Sequence, residues 1–274
     1  MPEAPNPKHR PITPLPTAGR TVSPWPYAEL DVTSNFSFLR GASHPDELVY
    51  RAAELGYRAI AITDVNSVAG VVRAHAAAKE VGIKLCVGTR LVFTDATEVL
   101  VWAENRAGYA RLCRLLTVGK RRAEKGQCKL ELADLLNEPG GLLAALVCGS
   151  IDPHPPSPQP QTHGLRVLAA QLKDAFGPRL SLALSRIHGP LDERIAREAA
   201  ELSRDLAIPL IATNQVHYHD EHRHALQDVL TCIRHGCTIH DAGFRLFPNG
   251  ERFLKPAEEM HRLFADCPGR AGAL

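Results

Sequence analysis

Short apolar runs alternate with amphipathic stretches along the chain from residue 27 onwards. This alternation is typical of βα units arranged around a mainly parallel sheet. The amphipathic stretches predict helices at 43–55, 67–81, 106–118, 164–176, 191–206 and 221–234. The apolar runs predict seven strands, at residues 29–33, 59–63, 84–92, 98–103, 142–148, 180–185 and 209–213. Seven strand–helix steps in this length predict a closed or nearly closed α/β barrel of parallel strands.

Several helix ends carry recognisable capping residues. Ser43 or Pro45 is expected to begin the first helix, and Gly56 to end it. Ser67 is a candidate N-cap for the second helix, which Gly82 would end.

The composition fits a globular protein with one sizeable core. A chain of 274 residues with 45% hydrophobic residues accommodates one large α/β domain. The formal net charge of +2 is too balanced to indicate nucleic-acid binding from bulk electrostatics. Seven cysteines without a Cys-x-x-Cys motif indicate reduced thiols and a cytoplasmic location, and Cys232 and Cys237 lack further zinc ligands at matching spacing. No apolar run is long enough to predict a membrane partner.

Proline-rich segments divide the chain. Residues 1–26 are expected to form a disordered leader, because their composition buries little apolar surface and includes no signal-peptide core. Residues 27–268 would form the barrel domain, with 151–163 as a proline-rich solvated connector. Residues 269–274 would be a truncated end.

Two early segments resemble motifs of the PHP domain, a metal-dependent phosphoesterase module. Residues 29–43 resemble its opening strand and turn, with Asp31 and Thr33 where the family carries a His-x-His pair of metal ligands. Because alternate side chains of a strand share a side, these two residues are expected to point together. Residues 59–67 resemble a strand that ends in Thr-Asp-His, with Val65 in place of the histidine.

Two later segments carry the same resemblance. Residues 87–90 are similar to a Gly-x-Glu segment, with Arg90 in place of the ligand glutamate. Residues 211–218 are similar to an Asn-Asp-x-His segment in which Gln215 replaces the aspartate and His217 is kept. The resemblance implies a distorted seven-stranded (β/α) barrel of the PHP type.

The resemblance is more specific still, to the N-terminal region of bacterial error-prone DNA polymerases related to the DNA polymerase III alpha subunit. Residues 226–234 and 253–260 also read like this family, and the match covers about residues 25–268. It implies a complete protein that extends primers past DNA damage with Mg²⁺, in a bacterial cytoplasm. The palm carboxylates would lie outside this chain, whose partners would be the remainder of the polymerase and, through it, DNA.

For this chain the resemblance implies a metal site that has lost most of its ligands. No catalytic residue and no cofactor is therefore expected, and the barrel would support the polymerase core. Asp64 and His217 remain as candidate metal ligands. The alternative interpretation is that Asp64 turns the chain into the next helix and that His217 is a hydrogen-bonded structural residue. The vestigial metal-site positions are Asp31, Thr33, Asp64, Val65, Arg90, Gln215 and His217.

Two alternatives stay open. The chain could be an active metal-dependent phosphoesterase or proofreading exonuclease, which intact ligand motifs would have favoured. The isolated piece could also fail to fold stably. If the metal is lost, we expect Arg90 to take its place electrostatically by pairing with Asp31, Asp64 or both.

The chain contains a histidine-rich segment and a basic segment. His217, His219, His222 and His224 cannot all converge on one metal ion, because His222 and His224 would point in nearly opposite directions on a helix. A solvated strand-to-helix junction is the favoured interpretation.

Residues 119–129 form a basic segment that either contacts phosphate or is a solvated loop. Its candidate phosphate contacts are Lys120, Arg121, Arg122 and Lys125.

Overall fold

The computed structural model describes residues 24–149 and 162–267. Within these residues one seven-stranded sheet follows the order of the sequence. This confirms the predicted α/β barrel, and the bounds of four strands equal the predicted ones. The strands are β1 (Ala28–Glu29), β2 (Ala59–Ile62), β3 (Lys84–Val92), β4 (Glu98–Ala103), β5 (Leu142–Cys148), β6 (Leu180–Ser185) and β7 (Leu210–Thr213).

Helices pack around the sheet and follow most of the predicted amphipathic stretches. Two short helices, α4 and α8, were not predicted, because five to seven residues give little periodicity to detect. The helices in the described residues are α1 (Pro45–Glu54), α2 (Val71–Val81), α3 (Arg106–Arg121), α4 (Leu132–Leu136), α5 (Thr162–Phe176), α6 (Asp192–Leu206), α7 (His224–His235) and α8 (Ala257–Leu263).

The sheet is mainly but not wholly parallel. β1, β2 and β3 pair in parallel, as do β5, β6 and β7, whereas β4 is antiparallel to both of its neighbours. The predicted mainly parallel sheet is therefore confirmed, and β4 is the exception within a barrel of otherwise parallel strands. Only residues 93–97 connect β3 to β4, and a parallel neighbour needs a much longer crossover.

The barrel closes beyond the regular strands. The amide of Thr33 donates to the carbonyl of Val216 at 2.8 Å, and the amide of Val216 donates to the carbonyl of Asp31 at 2.9 Å. These bonds form an isolated parallel bridge between Val32 and Val216. The predicted first strand is thus interrupted after Glu29 but resumes as the closing contact of the barrel.

The core has two parts. The larger one lies between the strands and the surrounding helices and includes Leu48, Ile60 and Leu112. The smaller one fills the barrel interior and is built from Ala61, Leu100, Trp102, Ala145, Val147 and Ala183.

Two predicted helix starts were wrong. α2 begins at Val71 rather than at Ser67, whose hydroxyl accepts from the amide of Ala69 at 3.1 Å in the preceding turn. Gly70 precedes α2, where a Cβ atom would lie 2.6 Å from the carboxylate of Asp64. Before α7, Glu221–Arg223 form a 3₁₀ turn, because Asp220 accepts from the amide of His222 at 3.0 Å.

Three predicted segments lie largely outside the described residues: the leader 1–26, the connector 151–163 and the end 269–274. In the described part of the chain, no helix combines the length and the apolar character needed to cross a membrane.

Candidate functional site

The barrel mouth brings together the residues that follow β1 and β2 and the second half of β3. Asp31, Thr33, Asp64 and Arg90 are all buried there, each at most 2% exposed. The amide of Arg90 donates to the carbonyl of Asp64 at 3.2 Å, which holds β3 beside the end of β2. The predicted clustering of polar residues at the strand ends is therefore present.

An ion-pair network occupies the centre of this cluster. The Arg90 guanidinium donates through Nη2 to Oδ2 of Asp31 and through Nη1 to Oε2 of Glu98 at 2.7 Å. Burial lowers the pKa of Arg90, and the two carboxylates more than offset this, so the pKa is raised overall. The guanidinium is thus held charged and fully enclosed. We refer to Asp31, Arg90 and Glu98 as the buried triad.

Glu98 was not identified from the sequence. In the antiparallel ladder Arg90 faces Leu100 and Glu98 faces Val92, so Glu98 is the diagonal neighbour of Arg90 on the same face of the sheet. Its side chain is 13% exposed. The short 93–97 connection was the one available indication that these strands form a hairpin.

Asp64 has a different environment and does not pair with Arg90. Its Oδ1 accepts from the Ser34 amide at 2.8 Å and from the Ser37 hydroxyl at 2.7 Å, and the Ser34 hydroxyl lies 2.9 Å from Oδ2. Burial raises the pKa of Asp64, and the serine hydrogen bonds oppose that rise. The carboxylate therefore fixes the turn after β1.

The late motif residues are also engaged. His217 is buried, lies 2.8 Å through Nδ1 from the carbonyl of Arg40 and packs edge-on against Phe247. Gln215 accepts through Oε1 from Nη1 of Arg252 at 2.6 Å. The guanidinium of Arg252 in turn covers the ring of Phe247, 4.1 Å from its centroid.

The two remaining candidate positions, Thr33 and Val65, carry no ionisable group. Thr33 takes part in the closing bridge through its backbone, and the amide of Val65 donates to the hydroxyl of Ser37 at 2.8 Å. Both residues therefore contribute chain geometry to the mouth.

The histidine-rich segment does not converge. Nδ1 of His219 lies 2.7 Å from the Ser43 hydroxyl, whereas Nε2 of His224 faces Asp228 at 3.6 Å. His222 is exposed on the 3₁₀ turn. In the ranges 24–149 and 162–267, no three His, Cys, Asp or Glu side chains are grouped closely enough to hold a metal ion.

The basic segment splits into two environments. Arg122 turns away to pair with Asp134 at 2.6 Å. Lys120 and Lys125 instead line an open cavity of about 430 Å³ beside the barrel mouth, together with Phe36 and Phe38. These two aromatic neighbours were not predicted, because they come from a turn that is distant in sequence.

Glu29 is another buried carboxylate that was not identified from the sequence, and it contacts the backbone of Asp31 in the triad. Glu29 accepts from the hydroxyl of Tyr27 at 2.7 Å and from the amides of Asp31 and Asn214 at 3.0 and 3.1 Å. Burial raises its pKa to about 8. Lys255, also buried, donates to Oδ1 of Asn214 at 3.0 Å.

Comparisons with known proteins agree with this architecture. The sequence profile of the PHP domain family matches residues 29–186. Error-prone DNA polymerase 1 of Agrobacterium fabrum is 45% identical over 242 residues, which cover 88% of this chain and 21% of that protein. The error-prone DNA polymerase of Caulobacter vibrioides is 46% identical over 244 residues, which cover 88% of this chain and 22% of that protein.

A solved structure supports the fold alone. A Bifidobacterium adolescentis protein described as a metal-dependent phosphoesterase superposes with a TM-score of 0.52 at 15% identity. The superposition covers 69% of this chain and 87% of that one.

Proposed function

This chain belongs to the PHP domain family, and we propose that it is the PHP portion of an error-prone, damage-tolerant DNA polymerase of the bacterial cytoplasm. In this role the barrel supports the polymerase core and does no chemistry of its own. The relatives at 45–46% identity carry the name error-prone DNA polymerase, and the chain spans 21–22% of their length. DNA synthesis, its Mg²⁺ and its nucleic-acid substrate belong to the complete protein.

The observation that carries the scaffold role is the buried triad. The resemblance to the PHP family implies that its metal ions bind at the positions of these residues. A metal site needs several donor atoms that converge on one point without a competing cation. Here a guanidinium already neutralises Asp31. Asp64 is saturated by serine donors, and Val65 has no donor atom in its side chain. The residues present do not fit a divalent cation.

An exposed apolar face on and beside α7 supports a proposal for where the polymerase core packs. Three apolar residues share one face of α7, because Val229 and Ile233 follow Leu226 by three and by seven residues. Their exposed fractions are 39% for Leu226, 50% for Val229 and 59% for Ile233. Ile239 and Phe244, 49% and 89% exposed, follow on short turns that contact α7. Clustered exposed apolar side chains mark interaction sites. We assign the α7 face, defined by these five residues, to the remainder of the polymerase.

A chimera tests this assignment. This chain replaces the matched segment of the Caulobacter vibrioides polymerase, and Val229→Ser/Ile233→Ser/Phe244→Ser is introduced into the chimera and the isolated chain. We expect the substitutions to lower the melting temperature and primer extension of the chimera, because they remove buried interface area. The free energy of unfolding of the isolated chain should change by no more than about 0.5 kcal/mol per substitution, since these side chains are exposed there.

Val72→Ser is the matched control, because Val72 is 79% exposed on α2 and lies outside the α7 face. The assignment fails if the triple variant leaves the chimera as stable and active as the control does.

The rival function is a working phosphoesterase or proofreading exonuclease, which would degrade a labelled primer-template in Mg²⁺ or Mn²⁺. We expect instead that the purified chain neither extends nor degrades this DNA. Among the described residues, no group of side chains is placed to hold a metal ion that would lower the pKa of an attacking water. Degradation that disappears in the Asp64→Ala variant would establish the rival, and degradation that persists in this variant would identify a contaminating nuclease.

A further inference from the structure

We propose that the cavity beside the barrel mouth binds single-stranded DNA, with Phe38 as a stacking platform and Lys120 and Lys125 as phosphate contacts. We call it the rim cavity. It has a volume of about 430 Å³, within the range of small-ligand sites. This binding goes beyond the scaffold role and does not depend on it.

Three separate segments meet at the rim cavity. Phe36 and Phe38 come from the turn after β1, and Asn66 comes from the loop after β2. Lys120 lies in the last turn of α3, and Lys125 lies in the loop that follows it. A site assembled from segments this far apart in sequence cannot be read from any one of them.

The aromatic side of the cavity is rigidly mounted. Phe38 is 82% exposed and Phe36 40% exposed, although both are large apolar side chains. Between them, the Ser37 hydroxyl donates to Asp64 at 2.7 Å and accepts from the amide of Val65 at 2.8 Å. The amide of Arg40 donates to the carbonyl of Ser37 at 2.8 Å. Because the turn is pinned, an exposed ring loses little conformational entropy when a base stacks on it.

The cationic side is not neutralised by its neighbours. Lys120 and Lys125 are exposed, and neither forms an ion pair with a carboxylate in the described portions of the chain. Among the described residues that line the cavity, Glu124 is the one acidic residue. Arg122 is committed to Asp134, but Arg40 also lines the cavity, so its lining cations outnumber Glu124.

Together these groups match a single strand better than a duplex. Aromatic side chains stack on unpaired bases, while lysines contact the sugar–phosphate backbone without regard to sequence. In a duplex the bases stack on one another, so the exposed ring of Phe38 would have no base face to contact. A strand with one splayed nucleotide satisfies both sides of the cavity.

Fluorescence anisotropy with a labelled oligo-dT strand at low salt tests the proposal. We expect the full chain to bind, and Phe38→Ala to weaken binding by about 5- to 140-fold, the usual effect of losing one stacked base. Lys120→Ala/Lys125→Ala should also weaken binding. It should reduce the slope of log affinity against log salt by about 1.4, the value for two phosphate contacts on a single strand.

Matched controls separate the site from general surface charge. Tyr109→Ala removes an exposed ring on α3 outside the cavity, and Lys79→Ala/Lys84→Ala removes two exposed lysines outside the cavity. Both controls should bind as the unchanged chain does, and circular dichroism verifies that every variant is folded. The proposal is overturned if oligo-dT does not bind, if Phe38→Ala binds normally, or if duplex DNA competes as well as the single strand.

Discussion

Replacing Arg90 by alanine is expected to lower the free energy of unfolding by about 3–5 kcal/mol, the usual cost of breaking a buried ion pair. The guanidinium is 1% exposed and pairs with Asp31, also 1% exposed, and with Glu98, 13% exposed. The variant leaves two carboxylates enclosed without their counter-charge. Urea denaturation followed by circular dichroism measures the loss, and the slope of the transition verifies that the unfolded state is unchanged.

A rescue variant distinguishes charge from packing. In Arg90→Met/Asp31→Asn/Glu98→Gln the carboxylates are neutral, so most of the loss seen in Arg90→Met should be recovered. Arg166→Ala is the surface control, since Arg166 and Asp205 are 51% and 48% exposed and such pairs contribute at most about 1 kcal/mol. An Arg90→Ala loss no larger than that of the control would contradict the description of the triad as a buried network.

The strand framework could be predicted because it depends on local pattern. β3, β4, β5 and β6 have the predicted bounds, since each is an apolar run with clear ends. The start of α2 was missed because Ser67 is a good N-cap by type, yet its hydroxyl stabilises a turn instead. The direction of β4 depends on the length of the 93–97 connection, which was available in the sequence but not used.

The candidate site was predictable only in part. Strand-end positions brought Asp31 and Arg90 together, and the expected pairing is present. Asp64 was a second expected partner, but the serines of the turn after β1 hold it. Glu98 could be identified as a partner of Arg90 only from the register of the β3–β4 hairpin. The exposure of Phe38 depends on the same long-range hydrogen bonds to Asp64, which no local pattern reveals.

The second large effect concerns metal binding, in which this chain should differ from a PHP domain with a complete ligand set. We expect no stoichiometric zinc or manganese, because a cation at the triad would have to displace a guanidinium held by two carboxylates. Only Asp64 and His217 keep the expected ligand type, and both are engaged by neighbouring groups. Two such residues are fewer than a tight site requires.

Metal analysis of the purified chain is the most direct test. The protein is dialysed against a mild chelator, exposed to excess Zn²⁺ or Mn²⁺, freed of unbound ion and analysed for metal per chain. Asp64→Asn and His217→Ala are analysed in parallel to locate any bound ion. We expect well under one equivalent in all three proteins. One tightly held equivalent in the unchanged chain that is lost in either variant would contradict this expectation.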